Sequence, residues 1–581
     1  YDVRNNSHRK LSTFGGEDRN PVWADADHIF YLSEQAGSFN IFRSAIQENS
    51  VAEQVTFMKD HPVRFLSIAG NGTLCFGYNG EIYIKQEKGN PVKVTVSIAA
   101  AVKQEDEQRL PFSDITEMTV SPSGREIAFI MRGEVFAGSV DGNMVKRCTR
   151  TPGTEAGLSF SPDGQTLLYA GERNGRWNIY QSVLSDRDEK FFFTAAALKE
   201  IPVIANAHEK YQPLFSPDGK EIAFVEDRRA LKVFNIASRQ TRLLIGTDQL
   251  YSRNDHDQYF EWSPDSRWLL VKYNEPGSGN DEVGIIAASG KEKFINLTRS
   301  GYSDTDPHWM MGGRMMIWQT DRNGLHSYAN SSIRQNDVYA LFFNRELWKD
   351  FSLSKEEAAL QKELQKGDTE KKTEIDWDGL ELRKARLTTH PAFLGSALVS
   401  DDGGTLYYLA RFEKDYDLWA CNLRTKETKL LLPLNIDDAS MQWDKDKKYI
   451  YALADGKILR IDPMGGKKEN LSFSGYITVH TALERKEMFE HVWRRTKETF
   501  YTAGMHGADW DALKTNYGRF LPCIDNNYDF AEMLNELLGE LNVSHTGASY
   551  KSERKDGDVT ASLGAFYGPA YKGPGMAIRE V

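Results

Sequence analysis

The chain has 581 residues, 40% hydrophobic and 12% aromatic: enough apolar surface for packed cores and, at roughly 150 residues per domain, too long for one. Its 72 basic and 83 acidic residues leave a net charge of −11, interspersed with no Lys/Arg-rich block, which argues against a nucleic-acid binder. No apolar run approaches the roughly 18 residues of a membrane span, and Cys75, Cys148, Cys421 and Cys523 lack the spacing of a zinc ribbon or disulfide scaffold.

In chain order, Tyr1-Asp2-Val3 reads as the middle of a strand, with neither an initiator Met nor a signal peptide. Pro21-Val22-Trp23, His28 to Tyr31 and Asn40-Ile41-Phe42 begin one β-unit, and Val63 to Tyr83 forms another. A repeat then becomes explicit. Ser121-Pro122-Ser123-Gly124, Ser161-Pro162-Asp163-Gly164, Ser216-Pro217-Asp218-Gly219 and Ser263-Pro264-Asp265-Ser266 recur at spacings of 40, 55 and 47 residues, with Ser400-Asp401-Asp402-Gly403 as a degenerate copy. Proline presets φ, Asp supports the turn and Gly accepts positive φ, so each copy predicts a tight turn between two half-buried strands. About four strands in 40 to 50 residues is the arithmetic of a propeller blade. Units starting near 115, 155, 211, 257, 306, 395 and 440 make seven. Seven blades close a ring and two do not. The reading is therefore mainly β: the last blades of an N-terminal β-propeller over 1–110, then a seven-bladed β-propeller over 111–480. A β-sandwich with the same turns is the competing fold.

One stretch, 343–386, breaks the pattern. The capping-box signature Ser354-x-x-Glu357 precedes Ala358 to Leu364, and a charged run follows over Lys366 to Glu374. It predicts a helical insertion into a blade, serving either as a solvated linker or as a lid. From Leu483 the apolar period changes from two to about 3.6. Phe489, Val492/Trp493, Thr496 and Phe500 share one helical face. A short helix is predicted over Trp510 to Phe520 and a third over Tyr528 to Leu541, with Asp525, Asn526 and Asn527 as caps. A helical domain over 481–550 follows the propeller.

Within it lie Phe489-Glu490-His491-Val492-Trp493-Arg494, Phe500-Tyr501, Met505-His506-Gly507-Ala508-Asp509-Trp510, Tyr517, Leu521-Pro522 and the run Gly539 to Thr546. This cluster, with propeller blades before it, resembles the first core domain of tricorn-type peptidases of peptidase family S41. The resemblance implies a multidomain serine peptidase hydrolysing peptides, with propellers admitting or gating substrate and the whole assembling as a homo-oligomer, a hexamer. It implies that His545 is the general base and Ser544 its neighbour in the catalytic hydrogen-bond network. The nucleophilic serine and a glutamate are implied to lie in a second core domain outside this chain, so that the chain alone is inactive. Residues 551–581 are read as a linker leading into a PDZ-like domain, with Gly575-Met576-Ala577-Ile578 as its first strand.

The residues agree with that chemistry. A serine hydroxyl is a poor nucleophile until a base takes its proton, and imidazole titrates near neutrality. His256, His308 and His506 are read as structural residues. No Gly-x-Ser-x-Gly elbow, His-Glu-x-x-His or P-loop occurs, so no cofactor, metal, nucleic acid or membrane partner is expected. The resemblance and the unpaired cysteines point to the cytoplasm, with the periplasm as the alternative. The rival function is a non-catalytic propeller scaffold that binds peptides or proteins.

Overall fold

The computed structural model describes residues 4–47, 50–96, 107–142, 144–186, 188–250, 254–274, 280–327, 334–364, 374–551, 566–567, 571 and 577–580. The chain is mainly β and divides into two compact units, Tyr1–Gln104 and Glu105–Val581. In the first unit, two four-stranded antiparallel sheets run from Asp18–Trp23 to Glu53–Gln54 and from Arg64–Ile68 to Val92–Lys93. Leu32, Ile41, Val63, Leu66, Leu74 and Phe76 are buried together in its core. The leading strand read at Tyr1-Asp2-Val3 lies outside the described residues.

Seven four-stranded meander sheets make up most of the second unit. Their first strands are Ile115–Val120, Glu155–Phe160, Lys210–Phe215, Phe260–Trp262, Asp304–Met310, Phe393–Val399 and Ala439–Trp443. The start read near 257 shifts to Phe260; the others fall within two residues of their expected positions. The inner strands of the blades are packed on both faces. The second strand of blade 1, Glu126–Met131, is buried at every position, as a strand packed on both faces must be.

The Ser-Pro-Asp-Gly turns behave as their chemistry predicts. Ser161 Oγ donates to Asp163 (2.6 Å), Asp163 accepts from the Gln165 amide (3.0 Å), and Gly164 N–H donates to the Ser161 carbonyl (2.8 Å). Gly164 sits at φ 71°. In the fourth copy Ser266 holds the same left-handed conformation at φ 61°, where a glycine is favoured.

Blade 7 returns to blade 1. Ile115 N–H donates to the Gly456 carbonyl (2.9 Å), and Gln442 Nε2 donates to the Met118 carbonyl (3.4 Å). Tyr451 and Ile458 of blade 7 share an apolar cluster with Ile127, Phe129 and Phe136 of blade 1. Outside the blades, Tyr476–His480 pairs antiparallel with Glu107–Pro111, joining the two ends of the ring in a short ribbon.

The insertion lies between the third and fourth strands of blade 5. It holds helix α1 (Arg345–Ser352) and helix α2 (Lys355–Leu364). The capping box forms as read: Ser354 N–H donates to Glu357 Oε2 (2.8 Å) and Glu357 N–H to Ser354 Oγ (3.2 Å). Most of the charged run after it lies outside the described residues. Among the described residues three α-helices follow the ring: α3 (Thr481–Thr499), α4 (Trp510–Gly518) and α5 (Asn527–Gly539). No helix among the described residues is long and apolar enough to cross a membrane. Beyond residue 551 the described residues include a short pair of strands, Phe566–Tyr567 with Ile578–Glu580. Most of the rest of the segment read as PDZ-like lies outside the described residues.

Candidate active site

Helix α3 is docked by charge on one face of the ring. Arg494 bridges Glu172 at the end of a blade 2 strand and Glu209 (3.0 Å) before blade 3. His491 Nδ1 lies 3.0 Å from Glu172, Arg132 pairs with Glu484 (2.7 Å), and Arg495 lies 3.6 Å from Asp255. Burial pulls the Glu172 carboxyl up, but the hydrogen bond and charge of His491 and the charge of Arg494 outweigh it and hold it below the usual carboxylate range. At Glu209 burial prevails over the Tyr211 hydroxyl and Arg494, and the carboxyl is raised.

The three helices enclose a core of Phe489, Met505, Trp510, Leu513, Phe530, Leu534, Leu537 and Leu541. Two indoles lock α3 to α4: Trp493 Nε1 donates to the Trp510 carbonyl (2.8 Å) and Trp510 Nε1 to the Trp493 carbonyl (2.9 Å). Of the three caps read before α5, Asn526 caps it, accepting from the Asp529 amide (2.9 Å). At the other end, Tyr517 donates to Glu540 (2.7 Å), and His506 Nδ1 lies 3.0 Å from the Leu541 carbonyl.

The loop that leaves α5 carries the two residues singled out from sequence. Ser544 and His545 are adjacent and exposed, and His545 takes a left-handed backbone at φ 64°. The loop is closed locally by Thr546 Oγ1, which donates to the Val543 carbonyl (3.2 Å). Among the described residues no hydroxyl, thiol or carboxylate is hydrogen-bonded to the His545 imidazole. Among the described residues the loop thus presents an imidazole with no hydrogen-bond partner beside a hydroxyl.

The other histidines separate by environment. His308, in the first strand of blade 5, has Nε2 3.2 Å from Asp306 and Nδ1 3.3 Å from Glu261 of blade 4. His256 packs edge-on against Trp177 (4.7 Å between ring centroids) and Tyr211 (5.3 Å). His506 was read as structural, and the sequence did not reveal its link to Leu541; the tight Met-His-Gly run was the only local signal. One group among the described residues, His208, Glu226 and Asp227, brings three ligand atoms within 4.8 Å of one another. Lys232 is already bonded to Glu226 there, so an ammonium balances the carboxylate.

A closed ring of seven blades whose chain continues into a three-helix domain docked on one face defines a class: a β-propeller protein with an attached helical core domain. The family model described as Tricorn protease C1 domain matches residues 481–539, and the chain is tricorn protease-like. It is 21% identical over 552 residues to the tricorn-like protease C-terminal subunit of Sulfurisphaera tokodaii, covering 90% of this chain and 59% of that protein. Against the tricorn protease homolog of Saccharolobus solfataricus it is 20% identical over 556 residues, covering 90% and 47%. The crystal structure of the tricorn protease shares the fold, with a TM-score of 0.70 at 14% identity over 93% of this chain and 51% of that one. The chain thus spans about half the length of the curated relatives it matches.

Proposed function

We propose that this chain is the non-nucleophile part of a serine peptidase, in which His545 is the general base and Ser544 its hydrogen-bonding neighbour. One observation carries the reading: the adjacent Ser544 and His545 are exposed on the loop directly after α5, the last helix of the tricorn C1 match. A base serves a hydroxyl nucleophile only within hydrogen-bond reach, about 2.6–3.2 Å. His545 is free to meet a serine brought to it from outside the loop, and closure over that exposed surface would exclude water from the acyl transfer. Peptides are the substrates, and the seven-bladed ring beside the helices limits which of them reach the loop.

The decisive experiment is peptide hydrolysis by the whole peptidase with His545→Ala. An expected loss of about a hundredfold or more in kcat supports the role, and undiminished turnover removes it. Ser544 is a poor substitute nucleophile, because adjacent side chains on one loop diverge. The 581-residue chain alone is therefore expected to give no turnover with fluorogenic peptides. Turnover with covalent labelling of Ser544 by a serine-directed phosphonate would overturn both assignments. Assembly as a homo-oligomer, a hexamer, belongs to the same reading; light scattering that finds only monomer at micromolar concentration counts against it. None of the four cysteines is paired, which supports a cytoplasmic rather than periplasmic site of action.

A further inference from the structure

We propose that His506 is a positioning residue for the Ser544–His545 loop, acting through the carbonyl of Leu541. The inference rests on the reading of that loop as catalytic. His506 lies in the connection between α3 and α4, and its imidazole is engaged at both nitrogens. Nδ1 is 3.0 Å from the Leu541 carbonyl, an acceptor only, so that nitrogen carries the proton and donates. Tyr501 then donates its hydroxyl to Nε2. The rings of Phe500 and Tyr501 stand edge-on to the imidazole, each at 5.3 Å between centroids.

The backbone around this ring is unusual. Met505, His506 and Gly507 take φ values of 46°, 54° and 83° in succession. Two consecutive non-glycine residues in the left-handed region persist only where the surroundings hold them. Here the buried Met505 side chain is anchored in the helical core, and the imidazole is fixed by its two hydrogen bonds. The strain therefore goes into aiming one ring at one carbonyl.

That carbonyl matters for where it stands. The last carbonyls of a helix lack partners within the helix, and Leu541 lies just past the last turn of α5. The Nδ1–H donor satisfies a carbonyl at the negative end of the helix dipole. After Leu541 the chain turns at Asn542 (φ 50°) and reaches His545 three residues later. Holding the Leu541 carbonyl sets the direction of that exit. No contact of His506 with Ser544 or His545 is recorded among the described residues, so it acts on them only through the backbone.

The test compares His506→Phe, which keeps an aromatic ring and removes both hydrogen bonds, with His506→Asn, whose amide nitrogen can stand near Nδ1. Hydrogen exchange is read at the amides of 542–546 and, as a control, at those of 530–538 inside α5. The expected result is exchange about fivefold faster or more at 542–546 in the Phe variant, unchanged protection inside α5, and recovery in the Asn variant. In the whole peptidase the Phe variant should lower kcat with little change in KM, and Asn should restore it. Unchanged exchange at 542–546 overturns the proposal. Loss of protection throughout α5 in both variants overturns it too, because His506 would then hold the fold and not the loop. If the unsubstituted peptidase shows no activity, the catalytic reading falls, and the exchange measurement still decides whether His506 sets the loop.

Discussion

At the residue scale, His256 and His308 show how opposite outcomes follow from the same ring. Burial beside Trp177 and Tyr211 pushes the His256 imidazole down to about 4, against the weaker pull of Asp255 and Asp257. At His308 burial acts in the same direction, but Asp306 and Glu261 outweigh it and raise the ring well above its ordinary value. The two therefore shift stability at opposite ends of the pH scale. For His256 the folded value lies below the unfolded 6.5, so its stabilising contribution is present above that value and is lost as pH falls toward about 4. The loss is about 3 kcal/mol at most by proton linkage. Urea titrations between pH 7 and pH 4 should show a shallower decline in His256→Leu than in the unsubstituted chain; parallel curves would refute it. For His308 the contribution is present below 6.5 and disappears as pH rises through its raised folded value. In His308→Gln the alkaline limb of the stability profile should flatten, and an unaltered limb counts against the charged ring.

At the scale of elements, the helical domain is held by two different kinds of contact. Inside it the core is apolar. Leu537 is 0% exposed in the core shared by α3, α4 and α5, and Leu537→Ala should cost about 2–5 kcal/mol of stability, read from the shift of a denaturant midpoint. Between α3 and the ring the contacts are ionic, and the set centred on Arg494 is buried. Arg494, Glu172 and Glu209 side chains are only 12%, 7% and 11% exposed. Arg494→Ala would leave two carboxylates buried without their guanidinium, a loss of about 3–5 kcal/mol. Adding Glu172→Gln and Glu209→Gln to that variant should recover much of it. If the triple variant is no more stable than Arg494→Ala, the penalty does not come from stranded charge.

At the scale of the whole molecule, the ring is closed by side-chain packing and a few hydrogen bonds between blades 7 and 1, not by a strand exchanged between them. The ribbon of Tyr476–His480 with Glu107–Pro111 adds the backbone pairing that the seam lacks. Ile477 and Val479 are the ribbon's buried residues, at 2% and 4% exposure. Replacing both with alanine should loosen the seam first. Hydrogen exchange should rise in blades 1 and 7 while blades 3 and 4 stay protected, and a uniform rise around the ring would show that the ribbon does not close it.

What the sequence determined by itself is what neighbours a few residues apart decide. The Ser-Pro-Asp-Gly turns, the Ser354–Glu357 capping box, the Asn526 cap and the change of period at Leu483 are contacts within one turn, so seven blades and three helices were legible before any coordinates. The loop with Ser544 and His545 was legible through resemblance, since its position after an amphipathic helix is local too. Tertiary structure alone decided the rest. Arg494 meets Glu172 across 322 residues, and His506 meets the Leu541 carbonyl across 35. No local period encodes such pairs. They exist because the ring brings blades 2 and 3 under α3, and because a strained Met-His-Gly turn aims one imidazole at the end of another helix.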